Sequence, residues 1–270
     1  MKLNFFNRKK RADSSLADES REAMLMHKKM NFAAAESYKL LRTNLMFALP
    51  DTGRCRIIGV TSSVRNEGKS TTSLNLSYTL AETGKRVLLV DADLRLPSIA
   101  AKLDIPGTPG LSNLLVGMGD VESSVRSASD LDTWHILPSG HIPPNPVERL
   151  GSQQMAELIA RLSESYDFIV IDLPPVNIVS DALAVSPLID GMIVVVRDGF
   201  SERRELHKCI KHLELSNVKV LGFVMTSSED RNSFYSKYKS NRYYKDSGQG
   251  YGSAHRASTD PYSIEDNAND

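Results

Sequence analysis

The chain has 270 residues, with 33 basic and 33 acidic side chains, 41% hydrophobic and 24% charged positions. Its zero formal net charge excludes a broadly basic nucleic-acid coat and a wholly acidic disordered chain, and the length suits one large α/β domain or two small ones. Two cysteines without paired spacing, Cys55 and Cys209, exclude a disulfide framework and a CxxC metal site, which fits a reducing, cytoplasmic setting.

Residues 1–30 mix basic, Ser and Met positions without a sustained period and read as a flexible arm, with Lys2, Arg8, Lys9, Lys10 and Arg11 near its start. From Asn31 to Leu49, Tyr38, Leu41 and Met46 fall near helical spacing, and Pro50 ends the pattern. An alternation follows. Buried strands are expected at Arg56–Thr61, Arg86–Asp93, Trp134–Leu137, Phe168–Ile171, Met192–Val196 and Val218–Val224. Helical patterns lie at Thr72–Gly84, Val147–Ser165, Asp181–Pro187 and Glu202–Leu215. Short apolar strands alternating with helices predict an α/β fold with a mostly parallel sheet covered on both faces. After Thr226 there is no Leu or Val, and Ser, Asn, Gly, Lys and Tyr dominate; such a composition buries no core and predicts a disordered tail. Six of the nine tyrosines lie there: Tyr235, Tyr238, Tyr243, Tyr244, Tyr251 and Tyr262. The expected organisation is an arm (1–30), a main domain (31–228) and a tail (229–270). No apolar run approaches the roughly 20 residues of a membrane span.

The most specific signal is Thr61–Thr72, TSSVRNEGKSTT, between the first buried strand and a helix. That context is what a phosphate-binding loop requires. Residues Asn66, Glu67, Gly68, Lys69, Ser70 and Thr71 are the candidate nucleotide contacts. Backbone N–H groups face phosphate oxygens, Lys69 reaches the β- and γ-phosphates, and the Ser70 hydroxyl is a Mg²⁺ ligand. Ser63 stands where the standard pattern has its first glycine. Asp91 and Asp93 lie two residues apart at the end of one buried strand, and Asp172 ends another. Carboxylates at the carboxyl ends of parallel strands lie where open α/β sheets bind ligands.

On these residues the chain resembles the bacterial tyrosine kinases, P-loop proteins of the deviant-Walker class. VDADLRLP (90–97) is similar to their Walker A′ motif and FIVIDLPPV (168–176) to their Walker B motif. ESYKLLRTN (36–44), GHIPPNPVERL (140–150) and the tyrosine-rich tail also match. The resemblance implies an ATP- and Mg²⁺-dependent protein-tyrosine kinase that autophosphorylates its tail on a neighbouring subunit and regulates capsular or extracellular polysaccharide production. It gives Lys69 to the phosphates, Ser70, Asp93 and Asp172 to Mg²⁺, and Asp91 to the acceptor hydroxyl proton. It implies ring assembly through Glu36, Lys39 and Arg42. It further implies a membrane adaptor of the chain-length-determinant type that recruits the protein to the inner face of the membrane, a cognate tyrosine phosphatase and no nucleic-acid partner. The alternatives are a degenerate kinase or nucleotide-binding scaffold of the same machinery, and a partition or cell-division ATPase. The last class uses a signature lysine where this chain has Val64.

The chain departs from the family at three points. Lys39 replaces the first Arg of the helix motif and lacks its planar fork. Arg65 and Asn66 replace Pro-Gly, and Asn tolerates a left-handed backbone better than most non-glycine residues. Thr226 stands where relatives end the strand with Asn near the adenine. Arg95 and His141, inside matching motifs, are read as structural.

Overall fold

The computed structural model describes residue 30 and residues 32–49, 51–127, 129 and 131–226. The expected arm, apart from residue 30, and the expected tail with its six tyrosines lie outside these. In chain order the elements are α1 (Phe32–Ala48), β1 (Arg56–Ser62), α2 (Lys69–Ala81), β2 (Val87–Asp91), α3 (Ile99–Leu103), α4 (Leu111–Leu114) and α5 (Val121–Ser124). Then come β3 (Arg126–Ser127), β4 (Trp134–Leu137), α6 (Pro146–Leu150), α7 (Gln153–Ser163), β5 (Phe168–Asp172) and α8 (Asp181–Val185). A 3₁₀ turn (Ser186–Leu188), β6 (Gly191–Arg197), α9 (Arg203–Leu215) and β7 (Val220–Thr226) complete the domain.

The strands form one seven-stranded sheet in the order β3-β4-β2-β5-β1-β6-β7. All neighbours are parallel except the short edge strand β3, which runs antiparallel to β4. Because successive side chains of a strand point to opposite faces, the central strands feed two cores. Val87 and Leu89 of β2 and Phe168 and Val170 of β5 join Leu74, Leu76 and Leu80 of α2 and Leu45 of α1. Leu88 and Val90, with Ile169 and Ile171, meet Met155, Leu158, Ile159 and Leu162 of α7 and Cys209 and Leu213 of α9. The α7 positions recur at i, i+3, i+4 and i+7, one apolar stripe. Its start is set by Ser152, whose Oγ accepts from the Met155 N–H at 3.2 Å. Trp134, fully buried, donates its Nε1–H to Ser77 Oγ at 3.0 Å and so keeps its one polar atom satisfied.

Boundaries differ from the sequence expectation at several points. The single helix expected over 147–165 is broken at Gly151 and Ser152 into α6 and α7. The helix after the phosphate loop starts at Lys69 rather than Thr72. β2 ends at Asp91, so Asp93 lies on the turn beyond it. The last strand runs two residues further than expected, to Thr226. Between residues 98 and 127 the chain also makes three short helices and β3, for which the sequence offered no period.

Cys55 and Cys209 are unpaired and buried, and burial pushes each thiol up to about 12. Among the described residues no helix is long and apolar enough to cross a membrane.

Candidate active site

β1 delivers the chain to the loop Ser63–Gly68, and α2 begins immediately after it. Two loop residues have positive φ: Asn66 at 66° and Gly68 at 94°. Gly68 has a second reason to be glycine, because a Cβ there would stand 3.2 Å from Thr226 Cγ2. The free N–H groups of the first turn of α2 open toward a cavity of about 260 Å³. Asn66, Gly68, Lys69, Ser70 and Thr71 line it, with Asp93, Arg95, Leu96, Lys102, Pro174, Pro175 and Ile178 contributing the other walls.

Strand parity brings the carboxylates to the loop. Asp91 and Asp172 are register partners on adjacent strands and continue the 87-89-91 and 168-170-172 series that faces α2. Lys69 Nζ donates to Asp93 Oδ2 at 2.8 Å and stands 3.8 Å from Asp172 Oδ2. Asp172 Oδ1 accepts from Ser73 Oγ at 2.9 Å, whereas its Oδ2 is buried without a hydrogen-bond partner. Asp91 is fully buried: its Oδ2 accepts from the N–H groups of Ser98 (3.2 Å) and Ile99 (3.1 Å).

The electrostatics follow from this crowding. Burial, then the neighbouring Asp172, raises the Asp91 carboxyl from 3.8 to about 7. Burial likewise raises Asp172 above the ordinary carboxylate range, against the lowering pull of Lys69. Burial alone would lower the Lys69 ammonium, but Asp172, Asp93 and Asp91 outweigh it and leave the pKa raised. Three acids around one lysine make a cluster short of positive charge.

The other sequence candidates divide. Glu67 does not line the cavity: its carboxyl group turns inward, accepting from Ser63 Oγ at 2.9 Å and the Val64 N–H at 2.8 Å. Glu36 and Lys39 pair with each other at 2.8 Å on the α1 surface. Arg42 instead lies on α2, donating from Nη1 to the Thr79 carbonyl at 2.6 Å. Arg65 lines the cavity mouth and is exposed. His141 is exposed. Arg95 holds the turn after β2 through a two-pronged pair with the fully buried Asp181, Nε to Oδ2 and Nη2 to Oδ1 each at 3.0 Å. Sequence reasoning passed over Ser73, which bonds Asp172. The available signal was its place four residues after Lys69, on the same helix face.

Comparison with known proteins agrees with this geometry. A family model described as an AAA domain matches residues 55–214. Tyrosine-protein kinase YwqD of Bacillus subtilis is 36% identical over 217 residues, covering 80% of this chain and 90% of that protein. The kinase domain of the Escherichia coli tyrosine kinase ETK superposes with a TM-score of 0.69 at 26% identity, covering 82% of this chain and 80% of that one. The septum site-determining protein MinD of Pyrococcus horikoshii, complexed with Mg-ADP, reaches a TM-score of 0.54 at 28% identity and covers 63% of this chain and 70% of that one. The P-loop ATPase fold is thus shared with the cell-division class, while the fuller match lies with the kinases: the chain belongs to the bacterial tyrosine-protein kinase family.

Proposed function

We propose that this protein transfers the γ-phosphoryl group of ATP to protein tyrosine. The observation that carries the reading is Lys69 at the start of α2, facing Asp93 and Asp172 beside a cavity walled by the phosphate loop. At about 260 Å³ the cavity is smaller than the roughly 300–1,000 Å³ of sites that enclose a whole small molecule, which suits the phosphate end of a nucleotide.

The residues suit Mg²⁺. Asp172 offers a buried oxygen with no hydrogen-bond partner, and Ser70 and Asp93 add hard oxygen donors at the same rim. Among the described residues no three His, Cys, Asp or Glu side chains form a closed metal cage, in keeping with an ion that retains water and takes oxygens from phosphate. Ser70, Asp93 and Asp172 would hold it, directly or through water. When bound, it supplies neutralisation of the phosphate oxygens. Lys69 exchanges Asp93 for the phosphates, and the first-turn N–H groups of α2 orient them. Asp91, at about 7, receives the acceptor hydroxyl proton near neutral pH. Asp91 is fully buried and does not line the cavity, so this role requires the turn that follows β2 to open.

The acceptors are the tail tyrosines, Tyr235, Tyr238, Tyr243, Tyr244, Tyr251 and Tyr262, presented by a neighbouring subunit of a ring. Each phosphate adds about −1.5 to −2 charges, so full modification makes a basic segment acidic and loosens the assembly. Recruitment to the membrane by an adaptor of the polysaccharide chain-length-determinant type, and reversal by a phosphatase, complete the proposed role in capsular or extracellular polysaccharide production.

The test is incubation with ATP and Mg²⁺, with and without an adaptor's cytoplasmic segment, followed by mass-spectrometric mapping of phosphotyrosine beside Lys69→Met. Phosphate is expected on the tail tyrosines of the wild type and absent from the variant. No phosphotyrosine in any wild-type sample would remove the kinase reading in favour of a nucleotide-binding scaffold.

A further inference from the structure

Glu67 sits inside the phosphate loop yet points away from the phosphates. It is fully buried, and its two oxygens accept from three donors. Ser63 Oγ lies 2.9 and 3.0 Å from them, the Val64 N–H 2.8 Å from Oε2, and Ser201 Oγ bonds Oε1. Two of these donors belong to the loop's own entry. The third comes from the connection between β6 and α9, 134 residues along the chain. Ser201 Oγ also accepts from the Arg197 N–H at 2.7 Å, which fixes its orientation.

Two further ties run to the same loop from outside. Arg197 Nη1 donates to the Asn66 carbonyl at 3.1 Å, and Thr226 Oγ1 donates to the Glu67 carbonyl at 2.7 Å. A loop whose φ angles include 66° at a non-glycine residue is under conformational cost. It keeps its shape here because side chains of β6, its following turn and β7 grip three successive features of it: the Asn66 carbonyl, the Glu67 carbonyl and the Glu67 carboxyl group.

We infer that Glu67 is a positioning residue, acting through Ser63, Val64 and Ser201 to hold the phosphate loop in its binding conformation rather than touching the nucleotide. The chemistry is consistent: every hydrogen-bond partner of the carboxyl group is a donor, and a carboxylate is the side chain that accepts from several donors at once. A carboxyl group turned toward the cavity would oppose an anionic ligand. Turned inward, it leaves the loop N–H groups to the phosphates. Ser201 is then a remote part of the nucleotide site, although it does not line the cavity.

The inference rests on the phosphate-loop reading and is tested by binding, independently of phosphoryl transfer. Mg-ADP affinity is measured by calorimetry on the full chain for wild type, Ser201→Ala, Ser201→Thr, Glu67→Ala, Glu67→Gln and the Ser201→Ala, Glu67→Ala double variant. Ser201→Ala is expected to weaken binding about 3- to 10-fold and Glu67→Ala about 10- to 100-fold, with Ser201→Thr near wild type because it keeps the hydroxyl. The double variant is expected to match Glu67→Ala alone, the non-additivity of one shared contact. An unchanged affinity in Ser201→Ala, or additive losses in the double variant, would overturn the positioning role and return Glu67 to direct contact. If Glu67→Ala does not fold, the same cycle is run with Glu67→Gln. Absence of tyrosine phosphorylation in the wild type would refute the kinase reading and leave this binding cycle legible.

Discussion

Replacing Arg95 with alanine isolates one fastening of the active-site turn. Arg95 follows Asp93 by two residues and reaches across to α8, where Asp181 is fully buried. Both prongs of the guanidinium are used, at 3.0 Å each. Removing one partner of a fully buried pair costs about 3–5 kcal/mol, because the other group is stranded. Arg95 itself is 37% exposed, so water enters the space it leaves and the cost falls to about 2 kcal/mol. For a domain of this size each kcal/mol moves the melting temperature by about 2–4 °C, so Arg95→Ala should melt roughly 4–8 °C lower by calorimetry. Lysine offers a point charge without the planar fork, and Arg95→Lys should recover about half of the loss. Arg95→Ala combined with Asp181→Ala removes the stranded carboxyl group and should be less destabilised than the sum of its parts. A melting temperature within about 1 °C of wild type for Arg95→Ala, or strictly additive losses, would refute the claim that this pair holds the turn.

The Asp91 carboxyl gives a pH prediction. Its folded pKa of about 7 lies above the ordinary 3.8, so its contribution to stability is fully present below about pH 4 and is lost as the pH rises through 7. The nucleotide-free protein should therefore lose stability from this group over that window, and Asp91→Asn should flatten the slope in urea titrations at successive pH values; an unchanged slope would count against the assignment. Arg42, anchored on the Thr79 carbonyl, predicts that Arg42→Ala lowers stability by about 1 kcal/mol even at concentrations where the protein is monomeric by ultracentrifugation. An effect confined to the assembled state would place Arg42 between subunits instead.

The central strands were legible because they are short, apolar and bounded, and because their alternation requires helices on both faces. The place of Asp172 was legible for a related reason, since it ends a fully buried strand at the carboxyl edge where open sheets bind ligands; Lys69 was legible from the Gly-Lys-Ser run between a strand and a helix, whereas Asp93 lies on the turn beyond β2. The segment carrying α3, α4 and α5 was not, since helices of four or five residues are shorter than the window in which a 3.6-residue period can be recognised. The break between α6 and α7 was missed because apolar residues lie on both sides of Gly151, although the positions three and four after Leu150 are Gln153 and Gln154. Glu67 was assigned to the nucleotide by adjacency to Gly68 and Lys69. Which way a loop side chain turns depends on partners far along the chain, here Ser201, and no local pattern carries that information.

The parity of β2 and β5 has an evolutionary consequence. The same alternation that sends Val87, Leu89, Phe168 and Val170 to one core and Leu88, Val90, Ile169 and Ile171 to the other also sets the direction of Asp91 and Asp172. Inserting or deleting one residue in either strand would turn both classes over together. Such a variant would expose its core at the same stroke as it misplaced its carboxylates, so the frame of these acids is guarded by folding itself. The placing of the two carboxylates is thus inherited under the protection of the hydrophobic effect.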